Sequence, residues 1–230
     1  MKPSQYHNNR KPYNWLIYDI GDKFLEKYSK FYKGRLVDLG CGEAPYKEFF
    51  LQYVKEYIGV DWTNSQHKIS ADVISNLNEK ILLPNEFADT IIALFVLEHL
   101  SEPEIFLRES FRILKRGGFM FIGVPFQWWI HEQPYDFFRY TPYGLYYLMK
   151  KVGFHVLSIE PYSGFFTTLI LKFNYFTLRF IRGPKIIQSF IKKLLYPVWY
   201  IGQKLAPVLD RLDKDWYLEA AGFYVLAMKK

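Results

Sequence analysis

The chain has 230 residues, of which 50% are hydrophobic and 20% aromatic, and its formal net charge at pH 7 is +7. This apolar content can fill a buried core, which excludes a disordered chain, and the length suits one domain with an appendage. A single cysteine excludes a disulfide framework and a multi-cysteine metal site. The positive charge allows nucleic acid, an anionic membrane or an acidic substrate as partner, and selects none of them.

The N-terminus lacks the apolar segment of a signal peptide. No run of about 18 charge-free apolar residues is present either, so an ordinary membrane-spanning helix is not expected. We therefore expect a cytoplasmic protein, and peripheral contact with the inner face of the membrane stays open as an alternative.

The order of the predicted elements defines the fold class. Apolar residues at helical spacing predict an N-terminal helix within residues 14–32. After it, short apolar runs predict strands at 36–39, 57–61, 69–73, 90–96, 119–124, 154–159 and 222–228. Helices are predicted at 44–54, from an N-cap at Ser101 to Gly117, and from an N-cap at Thr141 to near Gly153. This alternation predicts an α/β protein with a doubly wound, mostly parallel seven-stranded sheet.

The segment before the last predicted strand has no place in that alternation. Residues 165–215 contain nine Lys or Arg and three Asp, so nearly the whole net charge lies there. Their pattern predicts a helical hairpin with broad apolar faces and basic edges, whose second helix should kink or end at Pro197. We expect an N-terminal helical segment at 1–33, a main domain formed by 34–163 and 220–230, and a helical insertion at 164–219.

A glycine turn after the first predicted strand carries most of the chemical information. Residues 37–42 read Val-Asp-Leu-Gly-Cys-Gly, and residues 59–61 read Gly-Val-Asp. The glycines allow a sharp turn and a close approach of a ligand to the backbone. A dinucleotide-binding turn would need a third glycine where this chain has Pro45, and it has no use for a carboxylate at Asp38. The acidic turn instead suits a cofactor with a cationic end.

Five ordered motifs resemble those of the class I S-adenosylmethionine-dependent methyltransferases. They are the Asp38-x-Gly40-x-Gly42 turn, Asp61 at the end of the second strand, Ala71-Asp72 ahead of a loop at 81–84, the run 87–100, and the run 112–118 before the fifth strand. The resemblance covers roughly residues 34–160 and the last strand. It implies a Rossmann-like methyltransferase fold, S-adenosylmethionine as cofactor and methyl transfer as the activity.

The resemblance also implies roles for the residues that match the cofactor motifs. Gly40 and Gly42 would let the backbone pack against the methionine part of the cofactor. Asp38 would organise this turn and meet the amino group of the cofactor. Asp61 would accept hydrogen bonds from both ribose hydroxyls, because a carboxylate offers two oxygens and no proton. Trp62 would lie against the adenine, with simple packing as the alternative.

Further along the chain, the resemblance implies two more cofactor contacts. Asp72 would bind the adenine amino group with Val73 beside it, unless Asp72 is a solvated loop residue. Leu94 and Phe95 would end the fourth strand near the sulfonium. A parallel doubly wound sheet supports this grouping, since ligands bind at the carboxyl ends of its strands.

The loop at 125–141 is the main candidate for the acceptor side, because it is dense in aromatic and ionisable residues. His131 is the first candidate for a general base, since an unperturbed imidazole titrates near neutral pH. Asp136 or Glu132 would orient it, and a structural role for this histidine stays open. The loop pattern resembles a subset of these methyltransferases associated with bacterial polysaccharide and small-molecule pathways.

Four residues are candidates for contact with the acceptor, namely Glu132, Arg139, Tyr140 and His99. Arg139 would either bind an anionic acceptor or pair with Asp136, and Tyr140 adjoins it. His99 follows the fourth strand, where a cofactor-pocket or structural role competes with a catalytic one. No cluster of residues has metal-ligand spacing, so no metal is expected.

Three functional hypotheses follow. The leading one is O-methylation of a saccharide or small metabolite, and the second is methylation of a quinone or lipid at a membrane. The third is a non-catalytic partner subunit with this fold, which the intact cofactor motifs disfavour. The basic hairpin would cover the active site, form a homodimer, lie on an anionic membrane or pack on its own domain. Nucleic acid is not an expected partner, since no RNA-binding motif accompanies the charge.

Overall fold

Seven strands form one sheet in the computed structural model, which describes residues 1–63 and 69–230. The strands are β1 (Arg35–Leu39), β2 (Glu56–Asp61), β3 (Val73–Ile74), β4 (Ala88–Leu94), β5 (Leu114–Pro125), β6 (His155–Pro161) and β7 (Gly222–Met228). Their order across the sheet is β3-β2-β1-β4-β5-β7-β6, and β7 runs antiparallel to both of its neighbours. This arrangement confirms the predicted doubly wound, mostly parallel sheet.

Helices cover both faces of the sheet. They are α1 (Trp15–Lys27), α2 (Lys47–Phe50), α3 (Pro103–Ile113), α4 (Pro142–Val152), α5 (Phe165–Thr177) and α6 (Lys185–Asp210). One apolar cluster joins the sheet to α3 and α4, and a second joins its other face to α1 and α2. As predicted, Thr141 accepts a hydrogen bond from the Gly144 amide at 3.1 Å, and Gly153 ends α4 with a φ of 112°.

The helix predicted at 44–54 is wrong in its extent. Only Lys47–Phe50 is helical, because Ala44 has a left-handed φ of 53° and the chain after Phe50 forms turns. The two phenylalanines of this single turn, Phe49 and Phe50, are buried against the sheet. Their burial holds the short helix in place, since one turn is unstable by itself.

Several other predicted boundaries are also wrong. The third strand is Val73–Ile74 rather than 69–73, and the fourth ends at Leu94 because Phe95 has a φ of 59°. Ser101 does not cap α3: its hydroxyl donates to the Asn78 side chain at 3.2 Å. Helix α3 ends at Ile113, and β5 continues through the glycines at 117–118, which were predicted to stop the helix.

The insertion forms the predicted helical hairpin of α5 and α6. Asp210, near the end of α6, accepts hydrogen bonds from the amides of Gly164 and Phe166 at 3.1 and 2.8 Å, which satisfies the start of α5. The alternative in which the helix ends at Pro197 is wrong, because α6 continues through it. Pro197 is exposed, so solvent can reach the carbonyl that loses its donor. Within the described parts of the chain, no helix combines enough length and apolar character to cross a bilayer.

Candidate active site

A cavity of about 640 Å³ lies at the carboxyl ends of β1, β2, β4 and β5. The sheet order reverses here, because β2 and β4 lie on opposite sides of β1. In open α/β sheets this reversal creates a crevice between the loops that follow the strands. The residues that the sequence singled out after each strand therefore meet around one space.

The glycine turn after β1 forms one end of the cavity. Gly40 has a φ of +81°, and a β-carbon at this position would lie 2.4 Å from Cγ2 of Val96, so only glycine fits. Gly42 has a φ of +52° and open space where a side chain would begin. Its amide donates to Oδ2 of Asp61 at 2.7 Å, and the Trp62 amide donates to Oδ1 of Asp61 at 2.8 Å. Asp61 thus ties the β1 and β2 turns together.

Asp38 lies under this turn and lines the cavity. Its Oδ2 accepts a hydrogen bond from the Tyr57 hydroxyl, and its side chain is buried. Burial is the main cause that raises the pKa of Asp38 to about 7; the Tyr57 hydrogen bond opposes this effect and the charge of Asp61 adds to it. This carboxyl therefore titrates near neutral pH and would become more acidic beside a cation.

The other predicted cofactor residues fall into two groups. Trp62, Leu94 and Phe95 line the cavity, as does the segment 76–78, which the sequence did not indicate. Asp72 is exposed, and its Oδ2 accepts a hydrogen bond from the Gly59 amide at 2.8 Å. Neither Asp72 nor Val73 is among the described residues that line the cavity. In this structure, Asp72 therefore stabilises the backbone of β2 through this hydrogen bond.

Two histidines and two glutamates also line the cavity. His99 donates from Nδ1 to the Tyr135 carbonyl at 2.7 Å if that nitrogen carries the proton. Its Nε2 then lies 3.8 Å from Oε1 of Glu98 and 3.8 Å from Oε2 of Glu132. The rings of His99 and His131 meet edge to face with centroids 4.9 Å apart. The loop after β5 therefore brings His131 and Glu132 to the end of β4.

Asp136 is positioned to orient His131, as predicted from the sequence. Its Oδ2 accepts a hydrogen bond from the His131 amide at 2.8 Å and lies 3.4 Å from Nδ1 of the same residue. Two guanidinium nitrogens of Arg139 donate to Asp136, at 2.6 and 2.8 Å. Burial raises the pKa of Asp136, but the hydrogen bonds from Arg139 and His131 outweigh it and lower the pKa to about 2. Asp136 is therefore ionised across the physiological range.

Arg139 and Tyr140 do not line the cavity. Besides its pair with Asp136, Arg139 donates to the Trp129 carbonyl at 2.8 Å. Tyr140 is buried and donates its hydroxyl proton to the Leu97 carbonyl at 3.1 Å. Of the two roles that the sequence left open for Arg139, the structure favours the pair with Asp136, which stabilises the loop. Tyr140 also stabilises the loop, through its hydrogen bond to Leu97.

Glu98 is a feature whose importance the sequence did not indicate. Its side chain is fully buried, yet it borders the cavity. Among the described residues, neither of its carboxylate oxygens has a hydrogen-bond partner. Burial raises the pKa of Glu98 to about 8. A buried carboxyl without donors is costly, which indicates that a proton or a cation belongs there.

Aromatic side chains close the remaining side of the cavity. Trp128 and Trp129 stack with their ring centroids 4.1 Å apart. The ring centroid of Tyr175, on α5, lies 4.3 Å from that of Trp129. Tyr13, in the N-terminal segment, lies 5.1 Å from Tyr175. The sequence marked the loop that holds Trp128 and Trp129 and left open that the hairpin covers the active site, but it singled out neither Tyr13 nor Tyr175. The N-terminal segment and the hairpin together cover the cavity.

The fold and this site define a class I S-adenosylmethionine-dependent methyltransferase. A family model described as a methyltransferase domain matches residues 14–159, which is more than half of the chain. The chain therefore belongs to this family, and S-adenosylmethionine is its cofactor. A crystal structure of a SAM-dependent methyltransferase from Archaeoglobus fulgidus has the same fold, with a TM-score of 0.57, 17% identity, and coverage of 92% of this chain and 94% of that one.

Two further relatives show how far the similarity extends. A ubiquinone biosynthesis O-methyltransferase of Cereibacter sphaeroides is 25% identical over 177 residues, covering 62% of this chain and 72% of the relative. Proteins of the same name from other strains are matched over only 59% of their length. The [4+2]-cyclase SpnF shares the fold with a TM-score of 0.58 and 20% identity, covering 92% of this chain and 80% of that one. The fold alone therefore does not define the reaction.

Proposed function

We propose that this methyltransferase binds S-adenosylmethionine along the cavity and transfers the methyl group to a hydroxyl oxygen. The methionine part would lie on the glycine turn, its amino group near Asp38 and its ribose on Asp61. Two backbone amides already donate to Asp61. A carboxylate has about four acceptor positions, so two remain for the ribose hydroxyls. The sulfonium would then face the end of the cavity that holds His99 and His131.

Methyl transfer from a sulfonium is an in-line displacement, in which the acceptor oxygen forms a bond to carbon while the bond from carbon to sulfur breaks. The donor is already activated, so the main task of the protein is alignment. A hydroxyl acceptor must also lose its proton. We assign this step to His131, because it borders the cavity and the ionised Asp136 holds its ring.

The position of Asp38 predicts that cofactor binding depends on pH. A cationic amino group stabilises the charged carboxylate, so binding below about pH 7 must displace a proton. The affinity for S-adenosylhomocysteine should therefore rise by up to about tenfold per pH unit between pH 5.5 and 7, and level off above that. Calorimetry across this range measures it. The slope should flatten in Asp38→Asn and persist in Asp215→Asn, and a pH-independent affinity of the wild type would contradict the assignment.

The hairpin suggests where the acceptor is found, because its polarity is reversed. The side chains of Asn174 and Gln203 face inward and are buried, and both bond to the N-terminal segment. Gln203 donates to the Pro12 carbonyl at 2.9 Å, and Asn174 donates to the Tyr13 carbonyl at 2.9 Å. Helices that pack on a water-exposed domain normally bury their apolar face. Here the buried face of the hairpin is mostly polar, with Leu171, Trp199 and Ala206 as its buried apolar residues, and most of the apolar side chains lie outside.

The outer face of the hairpin is a continuous apolar surface. On α6 and just beyond it, exposed apolar side chains recur at steps of three and four, at Ile187, Phe190, Leu194, Val198, Ile201, Leu205, Val208 and Leu212. On α5 and just beyond it, the matching residues are Phe165, Leu169, Phe173, Phe176 and Phe180. An exposed apolar surface that spans two helices marks an interaction site.

We propose that this surface docks on an anionic membrane. Exposed basic residues flank it, namely Lys172, Arg179, Arg182, Lys185, Lys192 and Lys193. An apolar face bordered by Lys and Arg is the pattern of helices that lie in the membrane interface. Helix α5 carries part of the outer surface and also supplies Tyr175 to the cavity wall. The reversed polarity of the hairpin is the observation that carries this proposal.

The acceptor that best fits both features has an isoprenoid or similar apolar tail and a reactive hydroxyl on its ring. The similarity to proteins named ubiquinone biosynthesis O-methyltransferases supports a phenolic hydroxyl of a quinone precursor. A saccharide remains the second candidate, because the stacked Trp128 and Trp129 offer a flat face on which a sugar ring can pack. Transfer of labelled methyl groups to an isoprenoid-tailed catechol in vesicles, compared with soluble saccharides, decides between them.

Flotation with vesicles tests the membrane proposal. Wild-type protein should float with vesicles of equal phosphatidylglycerol and phosphatidylcholine and remain behind with pure phosphatidylcholine. A variant with Leu194→Asp and Ile201→Asp should lose flotation by at least about tenfold, because both side chains are exposed and would place charge in the apolar interface. Leu82→Asp, an exposed leucine elsewhere, is the matched control. If the wild type does not float and sediments as a dimer, the surface instead binds a second copy.

A further inference from the structure

Three side chains at the acceptor end of the cavity have the composition of a metal site. Glu98, His99 and His131 each offer one ligand atom, and these atoms all lie within 4.8 Å of one another. Helix α3, strand β5 and a loop separate Glu98 from His131 in the chain, which is why the sequence shows no metal-ligand spacing. Two imidazoles and one carboxylate are a common ligand set of catalytic zinc and of non-haem iron.

The environment of both histidines favours coordination through Nε2. Nδ1 of His99 lies 2.7 Å from the Tyr135 carbonyl, which accepts a hydrogen bond from it when Nδ1 carries the proton. Nδ1 of His131 lies 3.2 Å from the Trp129 carbonyl and 3.4 Å from Oδ2 of Asp136. Metal-bound histidines typically donate their second nitrogen to a carbonyl or a carboxylate, which fixes the ring and the tautomer. Both rings therefore have the supporting partners of a metal ligand, with Nε2 left to coordinate.

Glu98 supplies an independent observation. It is fully buried and borders the cavity, and neither of its oxygens has a hydrogen-bond partner in the described part of the chain. Its Oε1 lies 3.8 Å from Nε2 of His99. Buried carboxylates are normally satisfied by donors, by a cation or by a metal. No side chain of the site supplies that partner, and a bound cation would.

We propose that Glu98, His99 and His131 bind a divalent first-row transition-metal ion, such as Zn²⁺, with its open positions directed into the cavity. Ligands of such an ion lie about 3.0–3.5 Å apart when each bond is about 2.1 Å, so the three atoms must approach one another by about 1 Å. Rotation of the side chains can supply this movement, because His131 lies on a loop. Two nitrogen ligands favour this class of ion over Mg²⁺, which prefers oxygen.

The role of this ion rests on the proposed function. At an open position it would bind the acceptor hydroxyl and stabilise the oxygen as an alkoxide or phenolate, whose electron pair then attacks the methyl carbon. The hydroxyl proton would leave to water, and sulfur would depart as the neutral thioether. His131 then serves as a ligand rather than as a base, and chelation of the metal distinguishes these two roles.

Titration with Co²⁺ tests the site without any acceptor. Tag-free protein, stripped with a chelator and dialysed, should develop visible d–d absorption with one equivalent of Co²⁺ and lose it when Zn²⁺ is added. The Co²⁺ affinity should fall at least about 100-fold in His131→Gln and in Glu98→Gln. It should be unchanged in His155→Gln, a matched histidine on β6. No absorption in the wild type, or equal affinity in His131→Gln and the wild type, would overturn the proposal.

Two controls separate this result from the proposed function. Circular dichroism establishes that each variant is folded, and if Glu98→Gln is not, the pair of His131→Gln and His155→Gln decides alone. Binding of S-adenosylhomocysteine to the stripped protein tests the cofactor site, which the metal does not contact in this proposal. Cofactor binding without Co²⁺ binding overturns the metal site and leaves methyl transfer standing. Co²⁺ binding without cofactor binding contradicts the proposed function and supports the metal site.

Discussion

Replacement of Asp61 by alanine is expected to lower the affinity for S-adenosylhomocysteine at least about 100-fold, which corresponds to roughly 3 kcal/mol. The change removes the acceptor for the ribose hydroxyls. It also removes the carboxylate to which the Gly42 and Trp62 amides donate, at 2.7 and 2.8 Å. Hydrogen bonds to a charged group contribute about 1.5–3 kcal/mol each, so the loss should be large. Isothermal calorimetry measures it directly.

Two further variants make the Asp61 experiment specific. Asp61→Asn has the same shape but presents an NH₂ group to one of the two backbone amides, so its affinity should fall nearly as far. Asp215→Ala changes an exposed carboxylate far from the cavity and should bind like the wild type. Unchanged affinity in a folded Asp61→Ala protein would show that the ribose lies elsewhere.

With an identified acceptor, replacement of His131 by alanine should lower kcat by about 10²- to 10⁴-fold. The KM for S-adenosylmethionine should change little, because His131 is not among the residues assigned to the cofactor. Methyl transfer from labelled cofactor at saturating acceptor measures both constants. Both proposed roles of His131, base and metal ligand, predict this loss.

The matched comparison for His131 is His155→Ala, which should keep full turnover. Activity that falls on chelation and returns with Zn²⁺ assigns His131 as a ligand, whereas activity insensitive to chelation assigns it as the base. A kcat within about twofold of the wild type in His131→Ala would remove His131 from both roles and leave it as a structural residue of the loop.

The sequence predicted the part of the site in which local sequence determines geometry. Asp38, Gly40 and Gly42 follow one strand directly, and Asp61 ends the next, so their meeting follows from a parallel sheet. The same reasoning placed Leu94 and Phe95 correctly beside the cavity. Asp72 was harder to interpret, because its carboxylate is bound to the Gly59 amide, and no local pattern reveals that partner.

Contacts between distant segments could not be predicted from the sequence. The cluster of Glu98, His99 and His131 exists because the loop after β5 folds back over the end of β4, where the Phe137 amide donates to the Glu98 carbonyl at 2.9 Å. The contact between Tyr13 and Tyr175, which both line the cavity, depends in the same way on segments that are far apart in the chain. Periodicity describes single elements, whereas these contacts depend on tertiary packing.

Errors in element boundaries have similar physical causes. Ala44 and Phe95 adopt left-handed φ values, so α2 begins later and β4 ends earlier than predicted. Pro197 remains within α6 because its neighbourhood is exposed. The glycines at 117–118 continue β5, since Gly117 donates its amide to the Lys229 carbonyl at 2.7 Å. In each case, the surrounding fold overrides a local preference.

Calorimetric titration of S-adenosylhomocysteine into the wild-type protein tests the central claim most directly. We expect one site per chain with a dissociation constant in the micromolar range, or about −8 kcal/mol. Measurement at two temperatures guards against a binding enthalpy that happens to be near zero, because the heat capacity change gives a signal at one of them. Absence of binding to protein that is folded by circular dichroism would contradict the assignment of the cavity as the cofactor site.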